Sequence, residues 1–161
     1  MTTRIGPLRA KLWALLLIMF ATSFANATSF KKQATIVDLV GQSELIIHGT
    51  VKNVTDGIDE HGIPYTEVTI RVSEAIKGQV GSEYTFRQFG LLKPRKMADG
   101  RTNLMVTPAA WSTYTKGEET VLFLYKTAAW TGLKTTTALG QGKFNIAMGN
   151  ATNQINNAGL F

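Results

Sequence analysis

The chain contains no cysteine and only two histidines, His48 and His61, among its 161 residues. The first absence excludes a disulfide scaffold, a thiolate metal site, a cysteine nucleophile and lipid attachment to an N-terminal cysteine. The second leaves few candidates for general-base or zinc chemistry. Long hydrophobic runs are also missing. The longest, 12–21, is about half of the roughly 20 residues needed to cross a bilayer core. No Gly-x-Ser-x-Gly, no His-x-x-x-His and no glycine-rich phosphate loop occurs, so the usual hydrolase, zinc-protease and nucleotide-binding signatures are absent. The sequence therefore points to no catalytic centre and no cofactor.

What is present begins with an address. Arg4, Arg9 and Lys11 precede the apolar run, and a polar stretch follows that ends Ala25-Asn26-Ala27. This is the charged, apolar, small-x-small order of a secretory signal peptide, with cleavage expected after Ala27. Residues 1–27 read as the signal, 28–149 as one domain and 150–161 as an Asn-rich tail. Half of the formal net charge of +6 belongs to the signal, so the mature domain is only mildly basic and does not demand a nucleic-acid partner. The expected location is extracytoplasmic, periplasmic or secreted, with no membrane span in the mature chain.

Thr35 followed three residues later by Asp38 is a capping-box pattern, and Ile36, Leu39 and Val40 fall at helical spacing, which predicts one short helix ending at Gly41. Thereafter the period is two. Strands are expected over 44–54, 65–76, 84–89, 120–125, 133–139 and 144–148. In the clearest of them Thr66, Val68, Ile70 and Val72 alternate with Glu67, Thr69, Arg71 and Ser73, and the phase breaks near Glu74-Ala75 as a bulge would break it. Six short strands and one short helix predict an all-β fold, which we read as a small OB-like Greek-key barrel. The tail, Asn-rich and ending Leu160-Phe161, reads as a disordered end, a truncated product or a docking segment.

The order Ser43-Glu44-Leu45-Ile46-Ile47-His48-Gly49-Thr50-Val51, Tyr65-Thr66-Glu67-Val68, Ile76-Lys77-Gly78, Gly117-Glu118-Glu119 before Val121-Leu122-Phe123-Leu124, and Gln141-Gly142-Lys143-Phe144 resembles a family of exported, uncharacterised bacterial β-barrel domains over most of the mature chain. It is more distantly similar to the netrin-module and tissue metalloproteinase inhibitor barrels. The resemblance implies an OB-like barrel. Inhibitors of that group reach a protease zinc through a mature N-terminal Cys, whereas cleavage here leaves Thr28 first, so their mechanism does not transfer.

Two stretches concentrate candidate site residues. Asp56, Asp59, Glu60 and His61 offer donors a hard cation takes, or form a solvated hairpin tip; the spacing is not that of an EF-hand. No metal is assigned. The long aperiodic connection 90–117 carries Lys93, Arg95, Lys96 and Arg101 together with Trp111 and Tyr114, which read as interface anchors or as an aromatic plug. The function expected is an exported, non-enzymatic module binding a protein or other anionic macromolecule through this connection. The alternatives are inhibition or chaperoning of a co-exported protease, and, in another class, a hydrolase or single-stranded nucleic-acid binder; export argues against the last.

Overall fold

A computed structural model describes residues Gln33–Phe161; the expected signal segment 1–27 and its cleavage point lie outside the described residues. Among these residues an α-helix, α1 (Ile36–Gln42), precedes eight strands: β1 (Leu45–Ile58), β2 (Pro64–Lys77), β3 (Glu83–Phe89), β4 (Arg95–Lys96), β5 (Thr102–Asn103), β6 (Glu119–Leu124), β7 (Lys143–Ala147) and β8 (Asn150–Thr152). Six of them form one antiparallel sheet in the order β3-β2-β1-β6-β7-β8, and β4 and β5 form a separate small hairpin. Among the described residues no helix is long and apolar enough to cross a membrane.

The helix forms where its cap allows. Thr35 Oγ1 accepts the Asp38 amide at 3.2 Å and Asp38 Oδ2 accepts the Thr35 amide at 3.0 Å, which satisfies two of the amides that a helix start leaves without partners. Only seven residues long, α1 depends on packing to persist. Leu39 anchors it to Ile46, Phe123, Phe144 and Leu160 on the outer face of the sheet.

The larger core lies on the other face. Leu45, Ile47 and Val51 of β1, Val68 and Ile70 of β2, Phe86 of β3, and Leu122 and Leu124 of β6 pack together there. Register shifts shape β1 and β2. One falls between Val51 and Asn53, leaving Lys52 as an extra residue on β1. Val54 rather than Asn53 then turns inward to join Val51, since each bulge residue reverses the side-chain phase. Two further shifts flank the Glu74-Ala75 pairing, where the sequence alternation fails.

The sheet does not close into a barrel. β3 and β8 are its edges, and the expected 133–139 strand is absent as a ladder. That segment makes one isolated bridge, Leu124 to Thr136, and sends the Lys134 amide to the Arg87 carbonyl of β3 at 2.8 Å. Its extension ends where Ala138 and Leu139 take positive φ values of 51° and 58°. Two consecutive left-handed residues turn an L-amino-acid chain out of any strand.

Segment 150–161 lies on the domain. Its start pairs with β7 as β8. Beyond it the buried Asn153 side chain accepts the amides of Ile155 at 3.0 Å and Asn157 at 2.9 Å, and Leu160 inserts beside Leu39 while its carbonyl accepts the Ile36 amide at 2.9 Å. The asparagines serve as local turn formers, with Asn156 and Asn157 both at positive φ.

Candidate binding connection

Gly90, at φ 102°, opens the 90–117 connection against the backbone of Val106 and Thr107, where any Cβ would collide with main chain. Leu91 is fully buried and ties the two ends together. Its amide donates to the Met105 carbonyl at 3.0 Å and its carbonyl accepts the Thr107 amide at 2.9 Å. Between these ends the chain projects as the β4–β5 hairpin, closed by the Met97 amide on the Arg101 carbonyl at 2.8 Å.

The four cations divide into two pairs. Arg95 ion-pairs with Asp56, whose other carboxylate oxygen accepts the Leu92 amide at 2.9 Å, so Asp56 and Arg95 clamp the connection to the end of β1. Arg101 folds back on Asp99 at 2.7 Å through its Nε, and its guanidinium holds the Asp99 carboxyl below the usual range. Lys93 and Lys96 are exposed and make no ion pair among the described residues. Arg101, its side chain 86% exposed, remains accessible beside Asp99, and Lys116 near the end of the connection is exposed as well.

The aromatics also separate. Tyr114 is no surface anchor: it is buried, edge-on to Phe86 at 5.7 Å, with Lys143 Nζ 5.2 Å from its ring. Its burial is the plug reading of this residue, because the connection uses it to cap the inner core. Desolvation pushes its hydroxyl well above the usual tyrosine pKa, opposed by the nearby Ser112 side chain and reinforced by Glu118. Trp111 is half-buried against Phe89, 6.3 Å between ring centres, and keeps an exposed edge.

The connection is also rich in exposed apolar side chains, which its charges and aromatics do not suggest. Leu92, Met97, Leu104, Met105 and Val106 are all exposed, Leu104 to 70%. Leu104-Met105-Val106 is the one signal that pointed to them, three apolar residues in succession within an otherwise polar loop. Trp130, in another loop, is 91% exposed.

The Asp56 to His61 group does not converge. Asp56 faces Arg95, whereas Asp59 Oδ1 accepts the amides of His61 at 2.9 Å and Ile63 at 2.7 Å to shape the β1–β2 turn. Glu60 and His61 are exposed and 3.6 Å apart. Among the described residues no group of three or more acidic, histidine or cysteine side chains is placed to hold a metal. His48, half-buried on the outer face, pairs through Nε2 with Glu119 at 2.8 Å. Compared with known proteins, the chain matches no family model, no curated protein and no solved structure.

Proposed function

We propose that the protein is an exported, non-enzymatic binding module that recognises a partner protein through the 90–117 connection. The observation that carries this reading is the exposed set Leu92, Met97, Leu104, Met105 and Val106 beside the unpaired Lys93 and Lys96. Apolar side chains in such number on one projecting loop suit contact area that a partner desolvates, and two free lysines at its rim favour an acidic border on that partner. Asp56, Arg95 and Leu91 hold the loop to the sheet, so the surface is presented largely preformed. Export rests on the N-terminal pattern; the recovered mature protein is expected to begin at Thr28, which intact-mass measurement reads directly.

In this reading the bent sheet is an opened OB-like arrangement. The Lys134 to Arg87 hydrogen bond and the Leu124 to Thr136 bridge support it, because they set segment 133–139 between β6 and β3, where a closing strand of such a barrel would run.

The test is co-purification from the extracytoplasmic fraction with the wild-type chain and two variants. Leu104→Ser with Met105→Ser, and separately Lys93→Glu with Lys96→Glu, alter exposed side chains and should leave circular dichroism unchanged. The first should abolish recovery of the partner, and the second should weaken it and reduce its salt dependence. Undiminished recovery by both folded variants rejects the connection as the contact surface.

A further inference from the structure

A polar groove of about 720 Å³ runs over the outer face of β1, β2 and β3 and is bordered on the far side of β1 by Lys116 and Gly117. The pairing register builds it in two rows. Thr50, Arg71 and Glu83 lie side by side across the three strands, and Asn53, Thr69 and Thr85 form the next row. Lys52, the extra residue of the β1 bulge, stands between the rows and reaches across β2 to ion-pair with Glu83 on β3. On the other side of β1 the Gly117 amide donates to the Val51 carbonyl at 2.8 Å, and this contact sets Lys116 beside the groove.

The groove is lined by three cations and one carboxylate. Lys52 occupies Glu83, which leaves Arg71 and Lys116 exposed, with no ion pair or side-chain hydrogen bond among the described residues. The carboxylates nearest its edges on this face, Glu119 and Glu67, are held by His48 and Arg87, each at 2.8 Å. Arg71 and Lys116 flank β1 from opposite sides, so their backbones stand two strand spacings or about 10 Å apart. That separation suits two anionic groups on one chain better than a single phosphate. A nucleic-acid strand would stack its bases on aromatic rings, but none lines the groove, and Tyr65 on the same face has its ring covered by the Arg87 guanidinium at 4.3 Å. A protein partner would need apolar or aromatic anchors; the lone apolar side chain of the lining, Val51, belongs to the inner core. Polar side chains are plentiful instead. Thr50 and Asn53 make no side-chain hydrogen bond among the described residues, and Thr69 and Thr85 bond only each other, at 2.9 Å. Hydroxyls, an amide and two separated cations match a hydroxyl-rich chain that carries carboxylates at intervals. We infer that the outer face of β1–β3 binds an acidic polysaccharide, with its carboxylates at Arg71 and Lys116 and its hydroxyls at Thr50, Asn53 and Thr85. This site is independent of the protein-docking reading, since none of the exposed apolar residues of the connection, and neither Lys93 nor Lys96, lines it.

Titration of the full chain with hexagalacturonate, followed by amide chemical shifts, tests this, with neutral maltohexaose and a decathymidylate strand as comparisons. Hexagalacturonate at millimolar concentration should perturb Thr50, Asn53, Thr85 and Gly117 and should lose affinity as salt rises. Maltohexaose, which lacks the charge-assisted bonds, should bind about tenfold more weakly or less. Arg71→Gln with Lys116→Gln, at exposed side chains without partners, should leave circular dichroism unchanged and weaken hexagalacturonate about tenfold or more. Lys93→Gln with Lys96→Gln removes the same charge away from the groove and should bind hexagalacturonate like wild type. Absence of hexagalacturonate binding overturns the proposal, and so does equal binding of maltohexaose. Tighter binding of the decathymidylate strand overturns the sugar assignment in favour of nucleic acid. Equal losses in the two charge-removed variants would show diffuse attraction and no built site. The Leu104→Ser, Met105→Ser variant should bind hexagalacturonate like wild type, which separates failure of this site from failure of protein docking.

Discussion

Val68 and Ile70 are fully buried at the centre of β2, whereas Glu67 and Thr69, which alternate with them, face outward, Glu67 paired with Arg87 at 2.8 Å and Thr69 with Thr85 at 2.9 Å. Val68→Asp or Ile70→Asp should unfold the domain, because an unpaired buried charge costs several kcal/mol, comparable to total stabilities of about 5–15 kcal/mol. Glu67→Lys and Thr69→Asp should each change stability by under about 1 kcal/mol. Urea unfolding of the four variants checks both halves, and equal damage on both faces would reject the one-sided assignment. Gly49 is a sharper case. A Cβ there would run into the Arg71 carbonyl oxygen and lie 2.8 Å from Ile70 Cγ2, so Gly49→Ala should cost about 1–3 kcal/mol although it adds a single methyl group. Tyr114 sets an alkaline limit. Its ionisation is pushed upward in the folded state, so its contribution is intact below the unfolded tyrosine value of about 10 and is lost as pH rises beyond it. In Tyr114→Phe the loss of stability above about pH 10 should be shallower.

At the scale of elements, the end of α1 and the start of β1 are held by polar contacts that bridge distant sequence. Lys134, its side chain 4% exposed, reaches Glu44 at 2.9 Å. The Lys134 hydrogen bond and charge hold the Glu44 carboxyl below its ordinary value. Burial alone would lower the Lys134 ammonium, but its bonds to Glu44 and Tyr84 outweigh that and raise it. A depressed carboxyl contributes stability above the unfolded glutamate pKa of about 4.3 and loses it as pH falls further. Glu44→Gln should therefore lower stability at neutral pH and flatten its decline below about pH 4, read by denaturation across pH 3–7. For α1, Thr35→Ala should remove about 1 kcal/mol by breaking the capping box. Thr35→Asn, which keeps a capping oxygen, should recover most of it.

Over the whole molecule, the two faces of one sheet are covered by different parts of the chain: α1 and Leu160 on the outer face, and the 90–117 connection through Tyr114 on the inner. Because α1 is too short to stand alone, the outer cluster should melt as a unit. Leu160→Ala should cost about 2–5 kcal/mol and should speed hydrogen exchange at α1, far away in sequence, more than at β2. Equal protection in α1 of the variant would show that Leu160 does not hold the helix.

The alternation in β2 and the capping box of α1 were legible in the residues, because each follows from side-chain period or from a donor and acceptor a few positions apart. Closure was not. Whether 133–139 becomes a strand depends on the left-handed turn at Ala138 and Leu139, residues with no local preference for it, and on hydroxyl pairs such as Ser43 with Thr137 at 2.7 Å across the fold. The charges of the connection read alike in sequence. Only the tertiary structure set Asp56 against Arg95, left Lys93 free and buried Tyr114 instead of presenting it. Residue type and spacing determine which elements can form and which face each buries. Which polar groups find partners depends on contacts between residues tens of positions apart, and no local period encodes them.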